Sequence, residues 1–149
     1  MTSASIATRP LTAADEADWR RLWTAYLAFY ETSRGEDVFA STFARLLDPA
    51  EPMRGLVATR DGAVVGIANI ILHRHGWSVA DVCYLQDLFV DPAVRGGGAG
   101  RALIEATYAL ADAEGCAGVY WMTDQSNAAA RALYDRIGKL TPFIKYARP

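Results

Sequence analysis

Residues 84–105 read Tyr84-Leu-Gln-Asp-Leu-Phe-Val90-Asp-Pro-Ala-Val-Arg95-Gly-Gly-Gly-Ala-Gly100-Arg-Ala-Leu-Ile-Glu105, and this stretch decides the fold. Its first part is an apolar, β-prone run that ends at Asp91-Pro92, because proline has no N–H group for a strand ladder. Three consecutive glycines follow, and from Ala99 apolar residues recur at helical spacing. The stretch therefore predicts a strand, a glycine-rich turn and a helix.

The glycine-rich turn predicts an anion site. A helix that opens on such a turn leaves several backbone N–H groups unpaired at the positive end of its dipole, which suits a phosphate group. A plain connection needs one glycine, whereas this turn has three, framed by Arg95 and Arg101. The turn lacks the Gly-Lys-Ser/Thr of a nucleotide P-loop, and its glycine spacing is not that of a dinucleotide-binding fingerprint.

Size and composition fit one soluble domain over residues 1–149, with 52% hydrophobic and 21% charged residues. A net charge of −2 without a basic block argues against a nucleic-acid partner. No apolar run reaches the length of a membrane span, and residues 1–6 lack the pattern of a secretory leader, so we expect a cytoplasmic protein. Cys83 and Cys116 match no disulfide framework or zinc motif, and His73 and His75 lack a third metal ligand, so we expect no metal.

Periodicity and turn residues predict the remaining elements. In chain order they are a strand at 6–9, helices at 12–30 and 38–47, a hairpin of strands at 54–60 and 63–72, a strand at 82–90, a helix at 99–113, a strand at 119–123, a helix at 128–137 and a last strand at 143–146. Asp61-Gly62 is the hairpin turn. Interleaved helices and strands predict an α/β fold with a mixed sheet.

Arg95-x-x-Gly98-x-Gly100, between a strand and a helix, resembles the acetyl-CoA loop of the Gcn5-related N-acetyltransferases (the GNAT superfamily). Residues 127–138 resemble the final helix of that family, and residues 84–90 resemble the Leu-Glu-Asp-Phe/Leu-Phe/Tyr-Val strand of its diamine and polyamine branch and of related histone/polyamine enzymes. The resemblance implies a mostly antiparallel central sheet, flanked by helices, with splayed central strands. It also implies pairing through the C-terminal strands, so residues 143–146 predict a homodimer.

The resemblance implies that acetyl-CoA is the co-substrate and that acetyl passes directly to a primary amine in a ternary complex, with a polyamine or diamine preferred and a lysine or peptide amine next. The turn would bind the pyrophosphate, the pantetheine arm would lie beside the strand at Leu88 and Val90, and an N–H group of Leu88 or Phe89 would face the thioester oxygen. The implied cofactor-binding residues are Leu88, Phe89, Val90, Arg95, Gly96, Gly97, Gly98, Ala99, Gly100, Arg101, Asn127, Ala130 and Tyr134.

Tyr134 stands where the family places the tyrosine that protonates the departing thiolate, although helical spacing also suits a core tyrosine. Gln86 and Asp87 stand where polyamine-branch relatives carry Glu-Asp. Asp87 would favour a cationic acceptor, and a proton would reach Asp87, Glu31 or a backbone carbonyl through ordered water. Strand alternation sends Asp87 to the face opposite Gln86 unless a bulge changes the phase. Because a buried Asp is costly without a partner, a structural hydrogen bond is the competing role for Asp87.

The acceptor side of the site is expected near the end of the first helix. The resemblance makes Tyr30 and Glu31 candidates to line it, with core packing as the alternative, and Trp77 would border it from the connection before residue 82. Two other functions stay open: a non-catalytic acyl-CoA-binding module, and a family enzyme acting on an aminoglycoside or an amino acid.

Overall fold

The computed structural model describes residues 5–149. Residues 1–4 lie outside the described residues, and the prediction that the chain has no secretory leader rests partly on them. The strands are β1 (Ile6–Pro10), β2 (Met53–Arg60), β3 (Ala63–His73), β4 (Val82–Val90) and β5 (Val119–Tyr120). The helices are α1 (Glu16–Phe29), α2 (Glu36–Leu47), α3 (Ala99–Ala113) and α4 (Ala128–Ile137). The elements predicted from the first strand to the helix at 128–137 are therefore present.

The five strands form one sheet in the order β1-β2-β3-β4-β5. Neighbours are antiparallel from β1 to β4, and β5 runs parallel to β4. The β2–β3 hairpin turns at Asp61 and Gly62, whose φ angles of 52° and 80° are those of a tight two-residue turn. The predicted α/β fold with a mixed, mostly antiparallel sheet is confirmed.

Strand β4 parts from β5 soon after the two begin to pair. Partners are found only at Cys83 with Val119 and Tyr84 with Tyr120, while β4 continues to Val90. Within residues 5–149, the half of β4 that ends at Val90 has β3 on one side and no strand on the other. The splayed central strands are thus confirmed, and they leave backbone groups of β4 facing a cleft.

The prediction of a strand at 143–146 is wrong, because the structure assigns no strand there. The side chains of Phe143, Ile144 and Tyr146 are 79%, 78% and 89% exposed. A strand needs a neighbour for its N–H and C=O groups, and nothing in the described part of this single chain pairs with the segment. The predicted strand at 119–123 is also shorter than expected, since its pairing stops where β4 and β5 part.

The sheet carries a buried core on each face. Helices α1 and α2 cover one face with an aromatic-rich cluster that includes Trp19, Trp23 and Phe43. Helix α3 covers the other face with Leu103 and Ile104, both fully buried. The site described below lies at the edge of the sheet where these two layers meet α4.

A β-bulge at Gln86 sets which layer each later residue of β4 faces. Asp87 pairs with Asn69 and Leu85 pairs with Ile70, so Gln86 is the extra residue, and its side chain is exposed. Leu85 packs in the α3 layer, whereas Asp87 turns toward α1. The bulge that the sequence left open is therefore present.

Candidate active site

The glycine-rich turn forms the start of α3. Gly98 is the residue before the helix and has a φ of 90°, and Gly96 has a φ of 89°, which are left-handed values that suit glycine. The first bond of the helix joins the Ala102 N–H to the Gly98 carbonyl at 2.9 Å. The N–H groups of residues 99–101 precede that bond, so they are the unpaired donors of a helix start and suit an anion.

A cavity of about 540 Å³ opens in front of this turn. Its walls come from the end of α1, the last residues of β4, the turn and α4. The lining residues are Tyr26, Phe29, Tyr30, Leu88, Phe89, Val90, Arg95, Gly96, Gly98, Ala99, Gly100, Arg101, Asn127, Ala129, Ala130, Leu133, Tyr134 and Arg136. The structure thus brings together every residue predicted to bind the cofactor except Gly97.

The cavity suits coenzyme A by its chemistry. Unpaired N–H groups and the arginines Arg95, Arg101 and Arg136 meet at it, which fits a pyrophosphate, and Leu88 and Leu133 offer apolar walls for the pantetheine arm. Arg95 folds back over β4, where its Nε donates to the Val90 carbonyl at 3.1 Å and its guanidinium lies 5.2 Å from the Phe89 ring centre.

Tyr134 reaches the same cavity from α4, which is capped at its start by the Asn127 side chain. Its half-buried ring meets the Trp121 ring edge-on, with centres 5.5 Å apart. Burial raises the pKa of Tyr134, and the nearby Tyr30 hydroxyl adds to the increase. The phenol is therefore protonated at neutral pH and able to donate its proton.

The Asp87 side chain extends from β4 into a buried hydrogen-bonded cluster and is only 6% exposed. Its Oδ2 accepts from Trp23 Nε1 at 3.2 Å and from Asn69 Nδ2 at 3.0 Å, and Asn69 Oδ1 accepts from Trp19 Nε1 at 3.0 Å. Burial raises the pKa of Asp87, while donation from Asn69, Tyr26 and Trp23 opposes the increase. Asp87 therefore has the partners that a buried carboxylate requires.

The other predicted site residues lie in different places. Tyr30 lines the main cavity and also a second one of about 480 Å³, which Glu31 and Asp124 line as well. Gln86 lines neither of these two cavities. Trp77 is 90% exposed in the turn between β3 and β4, at the end of β4 away from Val90. The structure thus groups Tyr30 with the cofactor-binding residues and keeps Trp77 apart from them.

Tyr26 is a cavity residue that the sequence analysis missed. It lines the main cavity with Tyr30, and the two ring centres are 5.1 Å apart. The signal was the spacing of four residues, which places both side chains on one face of α1. Because α1 is rich in apolar residues, the sequence predicts that this whole face packs in the core.

Other chemistries find little support in the described chain. Cys83 is buried, and burial raises the pKa of its thiol to about 11, so it is a poor nucleophile at neutral pH. Among residues 5–149, no three His, Cys, Asp or Glu side chains come together as metal ligands would. None of the helices described combines the length and apolarity needed to cross a bilayer.

Comparisons with known proteins agree with this geometry. The profile of the "Acetyltransferase (GNAT) family" matches residues 18–138. A D-amino-acid N-acetyltransferase of Saccharomyces cerevisiae is 36% identical over 150 residues, which cover 99% of this chain and 93% of that protein. A mycothiol acetyltransferase of Salinispora tropica is 37% identical over 118 residues, or 78% of this chain and 34% of that longer protein.

Among solved structures, an aminoglycoside acetyltransferase, AAC(6')-Iy, in complex with a bisubstrate analogue has a similar fold. The TM-score is 0.85 at 20% identity, over 98% of this chain and 99% of the other. At this level of identity the likeness concerns the fold.

Proposed function

The chain belongs to the acetyltransferase (GNAT) family, and from that premise we propose that it moves acetyl from acetyl-CoA directly to the primary amine of a small molecule. The observation that carries the proposal is the shared cavity. The α3 turn, the open edge of β4 and the Tyr134 phenol all face it. An anion site, a backbone edge for an extended arm and a proton donor are what acetyl transfer from a thioester requires.

We assign the cofactor to this cavity residue by residue. The N–H groups of residues 99–101 and the Arg101 side chain would hold the pyrophosphate, and the backbone of Leu88 and Val90 would hold the arm. An N–H group of Leu88 or Phe89 would face the thioester oxygen. Acetyl-CoA supplies the activated acyl group. Arg95 donates to the Val90 carbonyl, which keeps a second lone pair that can accept from the arm.

Tyr134 is proposed as the acid for the departing sulfur. Its raised pKa keeps the proton on the phenol until a strong acceptor such as a thiolate is adjacent. The alternative of a plain core tyrosine fits less well, since the side chain lines the cavity as well as packing against the α3 core cluster.

For the acceptor, we place a D-amino acid first, because the relative with that activity in its name matches nearly the full length of both chains. A cationic amine is the second candidate. Glu31 and Asp124 line the second cavity, and both carboxylates would attract a polyamine, a diamine or an aminoglycoside. A lysine or peptide amine comes after these.

Free coenzyme A release from acetyl-CoA across paired acceptors tests the proposal. The panel holds D- and L-forms of several amino acids, putrescine, spermidine, an aminoglycoside and a lysine peptide. Turnover of D- over L-forms supports the first candidate, and turnover of the polyamines or the aminoglycoside alone supports the second. Measurable acetyl-CoA binding without turnover of any amine favours the non-catalytic module instead.

We also propose that the protein is a homodimer joined through residues 140–146. The large apolar side chains of Leu140, Phe143, Ile144 and Tyr146 are exposed, which favours burial against a second copy. Light scattering after gel filtration should give twice the chain mass for the natural protein and the chain mass for a Phe143→Lys, Ile144→Lys variant. A monomeric natural protein contradicts this proposal. The single domain over residues 1–149 and the cytoplasmic location stay predictions.

A further inference from the structure

Tyr26 lines the main cavity and lies near the buried carboxylate of Asp87. The carboxylate does not line the cavity, whereas Tyr26 does. Tyr26 follows Trp23 by one turn of α1, and Trp23 itself donates to Asp87. The Tyr26 ring meets the Phe89 ring edge-on at 6.2 Å, and Phe89 lies on the same face of β4 as Asp87. These neighbours place Tyr26 between the Asp87 region of β4 and the main cavity.

The contact between Tyr26 and Asp87 affects both groups. The nearby Tyr26 hydroxyl lowers the pKa of Asp87, against the larger opposite effect of burial. Burial first, and then the negative charge of Asp87, raise the pKa of Tyr26. The phenol is thus a neutral group with a proton to pass on, and a carboxylate lies on its buried side.

The proposed reaction needs such a route. An amine acceptor is mostly ammonium at neutral pH, and only the neutral amine has the lone pair that attacks the thioester. Gln86, next to Asp87 on β4, cannot take a proton. The titratable groups whose pKa values respond to Asp87 are phenols: Tyr26 on α1, Tyr30 directly after α1, and Tyr84 on β4. Within residues 5–149, no Arg or Lys side chain contributes to the pKa of Asp87, so no cation there holds the carboxylate in its charged form.

Resting on the acetyl transfer proposed above, we propose that Tyr26 is a catalytic residue whose hydroxyl takes a proton from the acceptor ammonium group and passes its own proton to Asp87. Trp23 and Asn69 are positioning residues, because their N–H groups hold the carboxylate at the back of Tyr26. The base is then a pair, with a phenol at the cavity and a carboxylate behind it.

The protons and electrons balance along this route. The ammonium group gives one proton to the Tyr26 oxygen as the Tyr26 hydroxyl proton moves to Asp87, which leaves a neutral amine and a neutral carboxylic acid. The nitrogen lone pair forms the C–N bond, the C–S bond breaks, and its electron pair leaves on sulfur. Tyr134 protonates the sulfur and regains a proton from the nitrogen of the new amide. Asp87 returns its proton to solvent through Tyr26.

The test compares kcat/KM against pH for the natural protein, Tyr26→Phe and Asp87→Asn, with the best acceptor of the panel. At pH 7 each variant should lose about a hundred-fold, the usual range for a lost acid–base group. The loss should shrink as the pH approaches the pKa of the acceptor amine, because solution then supplies the neutral form. With an acceptor amine that is already neutral at pH 7, such as trifluoroethylamine, both variants should approach the natural rate.

A role in structure alone predicts another pattern, namely an equal loss at every pH and with both acceptors, and that result overturns the relay. Tyr108→Phe is the matched control. It removes a phenol that donates to the Ile137 carbonyl at 2.7 Å and does not line the cavity, so the pH profile should be unchanged.

Trp23→Phe gives a second readout if Asp87→Asn folds poorly. Losing one donor to the carboxylate raises the pKa of Asp87, so the acid limb of the profile should move to higher pH while Tyr26 stays in place. An acid limb that does not move overturns the assignment of Asp87. If the natural protein acetylates no amine, the proposed function fails, and if it does so with identical profiles in all variants, only the relay fails.

Discussion

Acid should destabilise the fold through one carboxylate near the start of the chain, that of Asp15. The side chain is buried beside α1, and its two oxygens accept from the Arg9 guanidinium at 2.8 and 2.9 Å. The N–H and hydroxyl groups of Thr12 also donate to it, at 2.8 and 3.1 Å. Mainly through the Arg9 bonds, the pKa of Asp15 is lowered from 3.8 to about 2.

The lowered pKa of Asp15 stabilises the folded state by an amount that follows from the shift. One pKa unit corresponds to about 1.4 kcal/mol, so the shift at Asp15 stabilises the folded state by about 2 kcal/mol at neutral pH. Because the Arg9 side chain is 42% exposed, solvent screening makes that figure an upper value. The folded pKa lies below the unfolded one, so the contribution is complete above about pH 4 and is lost as the pH falls toward 2.

Urea unfolding of the natural protein and Asp15→Asn at pH 6 and pH 3 measures the effect. The gap in free energy of unfolding between the two proteins should shrink by about 1 kcal/mol at the lower pH, since roughly half of the contribution is then gone. Asp18→Asn is the control, because that carboxylate is half exposed and makes a single 3.3 Å ion pair, so its gap should stay below about 0.5 kcal/mol. A gap for Asp15→Asn that is equal at both pH values refutes the reasoning.

Three further predictions concern the two cavities. Tyr134→Phe should lower kcat about ten-fold and leave acetyl-CoA affinity by calorimetry unchanged, and an unaltered kcat with chemistry rate-limiting argues against the acid role. Gly98→Val should abolish acetyl-CoA binding, because a β-branched residue opposes a φ of 90°, whereas Gly76→Val, in open space in the β3–β4 turn, should bind normally. Glu31→Gly should raise the free energy of unfolding in urea by about 1 kcal/mol, because Glu31 has a left-handed φ of 57° that glycine adopts without strain. The same change should lower kcat/KM for a cationic acceptor, because it removes a carboxylate. Unchanged kinetics would show that Glu31 does not belong to the acceptor site.

What the sequence predicted well is local. The turn at Gly96 and Gly98 and the helical periodicity each depend on residues close in the chain, and so the elements could be predicted without tertiary contacts. The cavity residues followed from the resemblance at the turn and at α4, because those motifs fix where the two elements begin.

What the sequence could not predict depends on distant partners. The bulge at Gln86 exists in the pairing of β4 with β3, so the face taken by Asp87 was open until that register was known. The sequence predicts Tyr26 as a core residue because periodicity identifies the apolar face of a helix. Periodicity does not tell which part of that face packs in the core and which part lines a cavity. Residues 143–146 have strand composition, yet pairing needs a neighbour that the described chain does not supply.

The bulge at Gln86 also decides which change of length β4 can accept. Leu85 and Asp87 face opposite layers, and two adjacent residues of a strand without a bulge do the same, so deleting Gln86 alone would leave both side chains in their present layers. Loops such as residues 74–81 should accept single deletions for another reason, because they carry no strand alternation. For the placement of Asp87, position 86 can therefore be lost, whereas the opposite orientation of Leu85 and Asp87 must be kept.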